Sequence, residues 1–251
     1  MNDVIKAIVL KQSQYRENDL LVSVLTQTGG RLMLVARGAQ KMTSKNAVSC
    51  TPFVEGEYIV DLQEGKTMFT LKTGALINSY RHVRDSLESV HIAQLFAEMI
   101  EIIIPQGSEE DSETYELLSL CLNKLDGTLE SKCLSLAFFL AKMLEIQGIS
   151  PLVDSCVFCG STAVQGISCE HGGFVCQNCA AEAEDMMMTN KDILRRFRII
   201  NKAKLEHYSI LEEQGNWKIQ DVEILMDFFQ NHLEVRSKTW GFLKDLLQGG
   251  K

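Results

Sequence analysis

Four cysteines stand in two close pairs, Cys156/Cys159 and Cys176/Cys179, with sixteen residues between the pairs. The pattern C-x2-C-x16-C-x2-C falls within the spacing of tetrathiolate zinc sites. Two intervening residues let both sulfurs of a pair reach one ion from a tight turn. A second pair completes a tetrahedron at Zn–S distances of ~2.3 Å. Four protein thiolates leave no coordination position for water or substrate, so the expectation is one structural Zn2+ ion and no metal catalysis. Cys169 and His171 lie between the pairs as alternative ligands, the residues an open and catalytic zinc site would recruit. The completed paired spacing reads them as bystanders. Gly172-Gly173 supplies the tight backbone a knuckle needs. The zinc-deaminase pattern and H-E-x-x-H are both missing. A thioredoxin-like redox pair would need a βαβ setting, which the flanking sequence lacks. Glu64-Gly-Lys-Thr67 is not a phosphate loop, because the position five residues before Gly65 is Val60. With no nucleotide-binding loop, G-x-S-x-G or dinucleotide fingerprint, the chain is expected not to be an enzyme.

A second set of side chains suits phosphate binding. Lys11, Arg16, Arg31, Arg37, Lys41 and Lys45 fall at strand ends or in loops of the first fifty residues. Arg31 and Arg37 share one face of an expected strand, and Leu32, Leu34 and Ala36 share the other. The loop from Gly38 to Lys45 offers Gln40, Lys41, Ser44 and Lys45 as donors to phosphate oxygens. Tyr15 is available for stacking on a base. Glu55, Glu57 and Asp61 alternate along another expected strand, a face that should repel nucleic acid. Further on, Lys191, Arg195, Arg198 and Lys202 follow offsets 0, 4, 7 and 11. At ~100° per residue they form one stripe, opposite Ile193, Phe197 and Ile200. That stripe suits a polyanion, an acidic partner or plain solvent.

Composition sets limits on both features. The net charge of −8 is unevenly spread. Residues 1–80 carry nine Lys/Arg against seven Asp/Glu, residues 81–155 five against thirteen, and residues 156–251 eleven against thirteen. A basic first module beside an acidic middle keeps polyanion binding open. The N-terminus lacks a secretory apolar region. The most apolar stretch, Leu134 to Ile146, is broken by Lys142 and Glu145 and is too short to span a bilayer. The chain therefore reads as cytoplasmic, without membrane contact and with reduced thiols. Cys50, Cys121 and Cys133, isolated in sequence, read as buried small hydrophobes.

The elements that must position these residues divide into strands and then helices. Val4–Leu10, Leu20–Thr26, Arg31–Arg37, Phe53–Leu62 and Thr67–Ile77 read as five strands, with turn signals at Gln27-Thr-Gly-Gly30 and Gln63-Glu-Gly-Lys66. Five strands in about eighty residues suggest a small closed barrel of OB type, with an SH3-like barrel as runner-up. Helices are expected from a Ser86 cap to Ile104, from a Ser112 cap to Leu125, and from Glu130 to Gln147 with Gly148 beyond. A fourth follows a Thr189/Asp192 capping box, a fifth opens at Asp221, and a last segment runs from Ser237 to Leu247. The fold class is thus α+β. An N-terminal OB-type five-stranded barrel over 1–80 precedes a helical domain over 81–251, which contains a zinc-binding insertion at 154–182.

Taken together the pieces resemble the RecO family of bacterial DNA repair and recombination mediators, over essentially the full length. The matching stretches are Tyr15-Arg-Glu-Asn-Asp19, Thr26 with Gly29-Gly-Arg31, Ala36-Arg-Gly-Ala39 with Ser44, and Pro52-Phe53. Later come Gly148-Ile-Ser-Pro151, the cysteine quartet with Gly160, Gly172-Gly173, and Arg236-Ser-Lys238 with Phe242-Leu243. Where that family often has adjacent arginines in its basic loop, this chain has Gln40-Lys41. The resemblance implies ATP-independent binding of single- and double-stranded DNA and annealing of complementary strands. It also implies work with RecR and the single-strand-binding protein, and indirectly with RecA, in a nucleoid-associated setting. The rival readings are an RNA-binding OB-fold protein, a zinc-stabilised protein adaptor, and a zinc enzyme built on Cys169 or His171.

Overall fold

The computed structural model describes residues 3–28, 30–63, 65–107, 112–127 and 132–249. Gly29 of the first turn, Glu64 of the second and Glu130, expected to open the third helix, lie outside the described residues. The chain separates into two compact units, residues 1–128 and 129–251. The barrel expected over residues 1–80 lies within the first.

Five strands close that barrel: β1 (Asp3–Gln14), β2 (Leu20–Thr26), β3 (Arg31–Ala36), β4 (Glu55–Asp61) and β5 (Met68–Asn78), in the order β1-β2-β3-β5-β4. All pairs are antiparallel except β3 with β5. β1 outruns the expected Val4–Leu10 because its polar end, Lys11–Gln14, pairs with Ser23–Leu20 of β2. Ladder hydrogen bonds need no apolar side chain, so hydropathy alone misses such an extension. An irregularity between Val9 and Lys11 bends the strand so that it serves both β2 and β4. Alternate residues fill the interior: Val22 and Val24, Leu34 and Ala36, Tyr58 and Val60 are all fully buried. The Tyr58 hydroxyl donates to the Ser49 carbonyl at 2.7 Å. Gly74 makes room for this pair, since a Cβ there would strike the Ser49 side chain and the Tyr58 ring.

The strand directions put the β1–β2 loop (15–19) and the β3–β4 connection (37–54) at one end of the barrel. The other two hairpin loops lie at the opposite end. Two helices complete the unit, α1 (Leu87–Ile103) and α2 (Glu113–Asp126). Ser86 caps α1 as expected, accepting from the Ser89 amide. Ser112 stands at the N-cap of α2 but makes no side-chain cap; its hydroxyl donates to Glu116 at 3.4 Å. α1 packs against β1, whose Ile8 and Leu10 are buried. β2 is buried along both faces except at Leu21, which is half-buried.

In the second unit α3 (Lys132–Ile146) is central, with every side chain from Leu134 to Leu144 buried. The Lys142 ammonium is accommodated there by Glu145 and by the Ala203 carbonyl. Gly148 adopts φ +72° just past the helix, the left-handed stop its position predicts. A three-stranded sheet follows, β6 (Val164–Ser168), β7 (Gly173–Cys176) and β8 (Met187–Met188), in the order β7-β6-β8. The remaining helices are α4 (Lys191–Lys202), α5 (Tyr208–Gln214), α6 (Ile219–Leu233) and α7 (Lys238–Leu247). The cap of α4 is Asn190, whose side chain accepts from the Ile193 amide at 3.0 Å, and not the expected Thr189. α5 is absent from the expected helices; seven residues give too little periodicity to read. α6 starts at Ile219, ahead of Asp221. The Asp221 carboxylate reaches back to the Lys218 amide at 2.8 Å, so it supports the first turn from inside. Ser237 caps α7 through the Trp240 amide. Among the described residues no helix is long and apolar enough to cross a membrane.

Candidate metal centre and candidate nucleic-acid interface

Cys156 and Cys159 sit in a tight turn that the Gly160 amide closes on the Cys156 carbonyl at 3.0 Å, with Gly160 at φ +72°. The Val157 amide donates to the Phe174 carbonyl at 2.8 Å and holds the turn against β7. Cys176 ends β7, and Cys179 lies in the 3-10 turn Gln177–Glu182 that follows. This places the four sulfurs within 4.8 Å of one another, with Cys159 and Cys176 3.6 Å apart. The edge of a tetrahedron with ~2.3 Å metal–sulfur bonds is about 3.8 Å, so the quartet fits one ion held by four thiolates. Burial opposes ionisation of Cys156, but the amides of Cys159, Cys176 and Phe158 outweigh it and bring that thiol down to about 6. Burial, reinforced by the neighbouring sulfurs, pushes Cys179 strongly the other way. A cation among the four sulfurs would favour the thiolate form of all of them.

The two alternative ligands point elsewhere. Cys169 is buried, its sulfur donating to the Ile224 carbonyl at 3.8 Å, and burial pushes the thiol up to about 12. His171 Nδ1 lies 2.9 Å from Ser168 Oγ and 3.6 Å from Asp185, beside the quartet but outside it. Gly173 is needed where β7 meets the incoming chain, because a Cβ there would collide with the Leu152 backbone. Of the isolated cysteines, Cys50 and Cys121 are fully buried as expected, whereas Cys133 is half-buried.

The basic residues of the barrel divide by position. Arg16, Arg37, Lys41 and Lys45 are exposed, and all lie in the loops at one end. The loops are tied together there: the Gly38 amide donates to Asp19 Oδ1 at 2.8 Å, and the Gln40 amide to the Asn18 carbonyl at 3.1 Å. Tyr15 is 40% exposed, with the Arg16 guanidinium 5.2 Å from its ring centroid. Lys72, not selected from the sequence, is exposed on β5 where Asn46 anchors the long connection to its carbonyl at 3.2 Å. Its place inside an apolar strand hid it. Lys11 lies further down β1, exposed, with its ammonium 4.0 Å from Glu101.

Arg31 does not join them. It begins β3 and Arg37 follows its end, so the two are separated by the strand, ~20 Å at 3.3 Å per residue. The Arg31 side chain is 14% exposed, donates from Nε to the Ile104 carbonyl at 2.9 Å, and lies 3.8 Å from Glu101. It secures the end of α1 against the barrel. The expected acidic face is also corrected at Glu55, which is buried. Glu55 accepts from Tyr115 at 2.7 Å and Tyr80 at 2.8 Å and pairs with Lys6 at 2.9 Å. Burial alone would raise its pKa, but these partners hold it below the usual carboxylate value.

On α4 the stripe forms as expected. Lys191, Arg195, Arg198 and Lys202 are exposed, and Ile193, Phe197 and Ile200 are buried. Half of the stripe is already paired, since Arg198 and Lys202 both bind Asp154. Arg196 lies off the stripe, 11% exposed, and its Nε donates to both oxygens of Asp221 at 3.0 and 2.8 Å.

Comparison with known proteins gives a consistent match. The family model described as "Recombination protein O N terminal" matches residues 1–80, and "Recombination protein O C terminal" matches residues 84–241. The chain is similar to a DNA repair protein RecO of Caldanaerobacter subterraneus subsp. tengcongensis, 24% identical over 242 residues, covering 96% of this chain and 97% of that protein. It is similar to the DNA repair protein RecO of Bacillus pumilus, 26% identical over 254 residues, covering 98% and 97%. A third, from Clostridium perfringens, is 29% identical over 201 residues, covering 79% and 80%.

Proposed function

The chain belongs to the recombination protein O family, and from that premise we propose that it is a DNA-binding mediator of recombinational repair. It binds single- and double-stranded DNA, anneals complementary strands without ATP, and helps load RecA onto DNA coated with single-strand-binding protein, acting with RecR. It is not an enzyme. It works in the cytoplasm, on the nucleoid, and carries one structural Zn2+ on Cys156, Cys159, Cys176 and Cys179.

The observation that supports this reading is the barrel end where Arg16, Arg37, Lys41 and Lys45 are exposed in the loops that also carry Tyr15. Such loops can grip phosphates from several sides while an aromatic ring takes a base. Lys11 and Lys72 extend the basic path, and the α4 stripe offers a further one; Arg31 serves the fold. Zinc is favoured over other metals by four soft thiolates in a closed tetrahedron, where it supplies structure and no open coordination site. Annealing follows when two strands are held with their mutual repulsion partly neutralised.

The test is single-strand affinity across a salt series for the wild type and for Arg37→Glu with Lys41→Glu. Binding should weaken, and the slope of log K against log salt should fall by about 1.4, at ~0.7 for each phosphate no longer neutralised. Unchanged affinity and slope would sink the assignment. RNA of equal sequence competing as well as DNA would redirect it to an RNA-binding role. Annealing of strands coated with single-strand-binding protein, with and without a zinc chelator, then asks whether the metal serves activity or folding alone.

A further inference from the structure

We propose that Arg198 and Lys202 form a second phosphate site whose resident occupant is the Asp154 carboxylate, and that a nucleic-acid strand engages this site by displacing it. The inference rests on the DNA-binding reading and adds a self-occupied contact to it.

The geometry is that of an anion cradle with an internal anion in place. Asp154 Oδ1 accepts from Arg198 Nε at 3.1 Å and from Nη2 at 2.8 Å, and Oδ2 accepts from Lys202 Nζ at 2.6 Å. One edge of the guanidinium and an ammonium one turn later thus converge on a single small anion. The same donor set suits a phosphate diester, which arginine binds through the same edge. All three side chains are about half exposed, at 46% for Asp154, 55% for Arg198 and 54% for Lys202. Exposed pairs of this kind hold weakly. The carboxylate can therefore be exchanged without opening the core.

Two further observations give an incoming strand the means to compete. Lys191 and Arg195 continue the stripe toward the helix start, and neither has an ion pair among the described residues. The four cations span ~16 Å along α4 at 1.5 Å per residue. A strand held by the first two presents its next phosphates to the occupied pair at high effective concentration. Asp154 itself sits two residues ahead of Cys156, whose amide is fixed to the Ser161 carbonyl at 2.8 Å. Its backbone is thus restrained while its side chain is free to rotate away.

The experiment uses the zinc-loaded full chain and a fluorescent oligothymidylate over a salt series. Asp154→Asn should bind more tightly, because no carboxylate has to be displaced, with the salt slope kept because the same phosphates are held in both proteins. Adding Arg198→Gln and Lys202→Gln to that variant should remove the gain. Unchanged affinity in Asp154→Asn would overturn the proposal. So would loss of zinc from it, which would make Asp154 a structural clasp. A measurement on the wild type stands apart from any variant: the Arg198 Nε–H resonance should shift on adding the oligonucleotide, and its staying put while the barrel-loop amides move would also overturn the proposal. Those outcomes leave the DNA-binding reading intact, whereas a wild type that binds no oligonucleotide would end both.

Discussion

The barrel gathers twelve buried side chains into one cluster, all but one apolar or aromatic and the last a thiol, Cys50. The cluster around the sulfurs buries five, and three of them are Cys156, Cys176 and Cys179. Both regions are built on antiparallel strand pairs, yet they are held by different means. In the barrel, closure and side-chain alternation remove enough apolar surface from water to stabilise the sheet. The apolar remainder of that cluster is Val175 and Ala183, with Val157, Val164 and Met186 at the edge, while Ile167 and Phe174 are buried outside it. So small a cluster contributes little apolar burial around the sulfurs, and an ion held by the four thiolates would supply stability there in its place. One architecture is encoded in a periodic pattern, the other in the spacing of four atoms.

Removing the metal is the strongest way to break this contrast. Structural zinc contributes an apparent ~10–16 kcal/mol in small zinc modules. Chelation, or Cys176→Ser, should abolish hydrogen-exchange protection in β6, β7 and β8 and leave that of β1 to β5 in place. Equal loss in the barrel would show that the two regions do not stand on separate supports.

A smaller effect is expected at Glu55, the one buried carboxylate of the barrel among the described residues. Glu55→Gln should cost about 2 kcal/mol in urea denaturation, since it weakens charge-assisted bonds from Tyr80, Tyr115 and Lys6. The partners hold the folded pKa below the ordinary 4.5. The stabilisation is therefore fully present above about pH 4.5 and is lost as pH falls through the lower, folded value. The gap between wild type and variant should be flat near neutrality and close in acid. A gap independent of pH would remove the charge from the explanation. Least of all, Asn190→Ala should cost about 1 kcal/mol by removing the cap of α4. That loss should register in the second unit alone, and a shift of the barrel transition would contradict it.

What can be read from the sequence follows the same division. The barrel strands are legible because Val22, Val24, Leu34, Ala36, Tyr58 and Val60 alternate, and the metal centre because C-x2-C is a local geometric requirement. Pairings over long sequence separations are not legible. Arg31 meets Ile104, Glu55 meets Tyr80 and Tyr115, and Arg196 meets Asp221, each across twenty-five or more positions. A charged residue looks identical in sequence whether it faces water or a buried partner, so the expected phosphate-binding set includes Arg31 and the expected acidic face includes Glu55. The α4 stripe is legible as a face, while its neutralisation by Asp154 depends on a chain segment 44 residues earlier. Capping residues fall between, since Thr189 and Asn190 are adjacent and both suited to the task.

The burial of β2 on both faces has a consequence for how DNA is presented. A strand laid across an open barrel wall would stack its bases on the sheet and hide their pairing edges. With that wall closed, the approach that offers most positive charge is to the loops at the barrel's end, where Arg16, Arg37, Lys41 and Lys45 are exposed to meet the sugar-phosphate backbone. A strand held this way keeps most of its Watson–Crick edges turned outward and readable by a complement. The covering of β2 thus favours a protein that displays sequence to another strand over one that shields it.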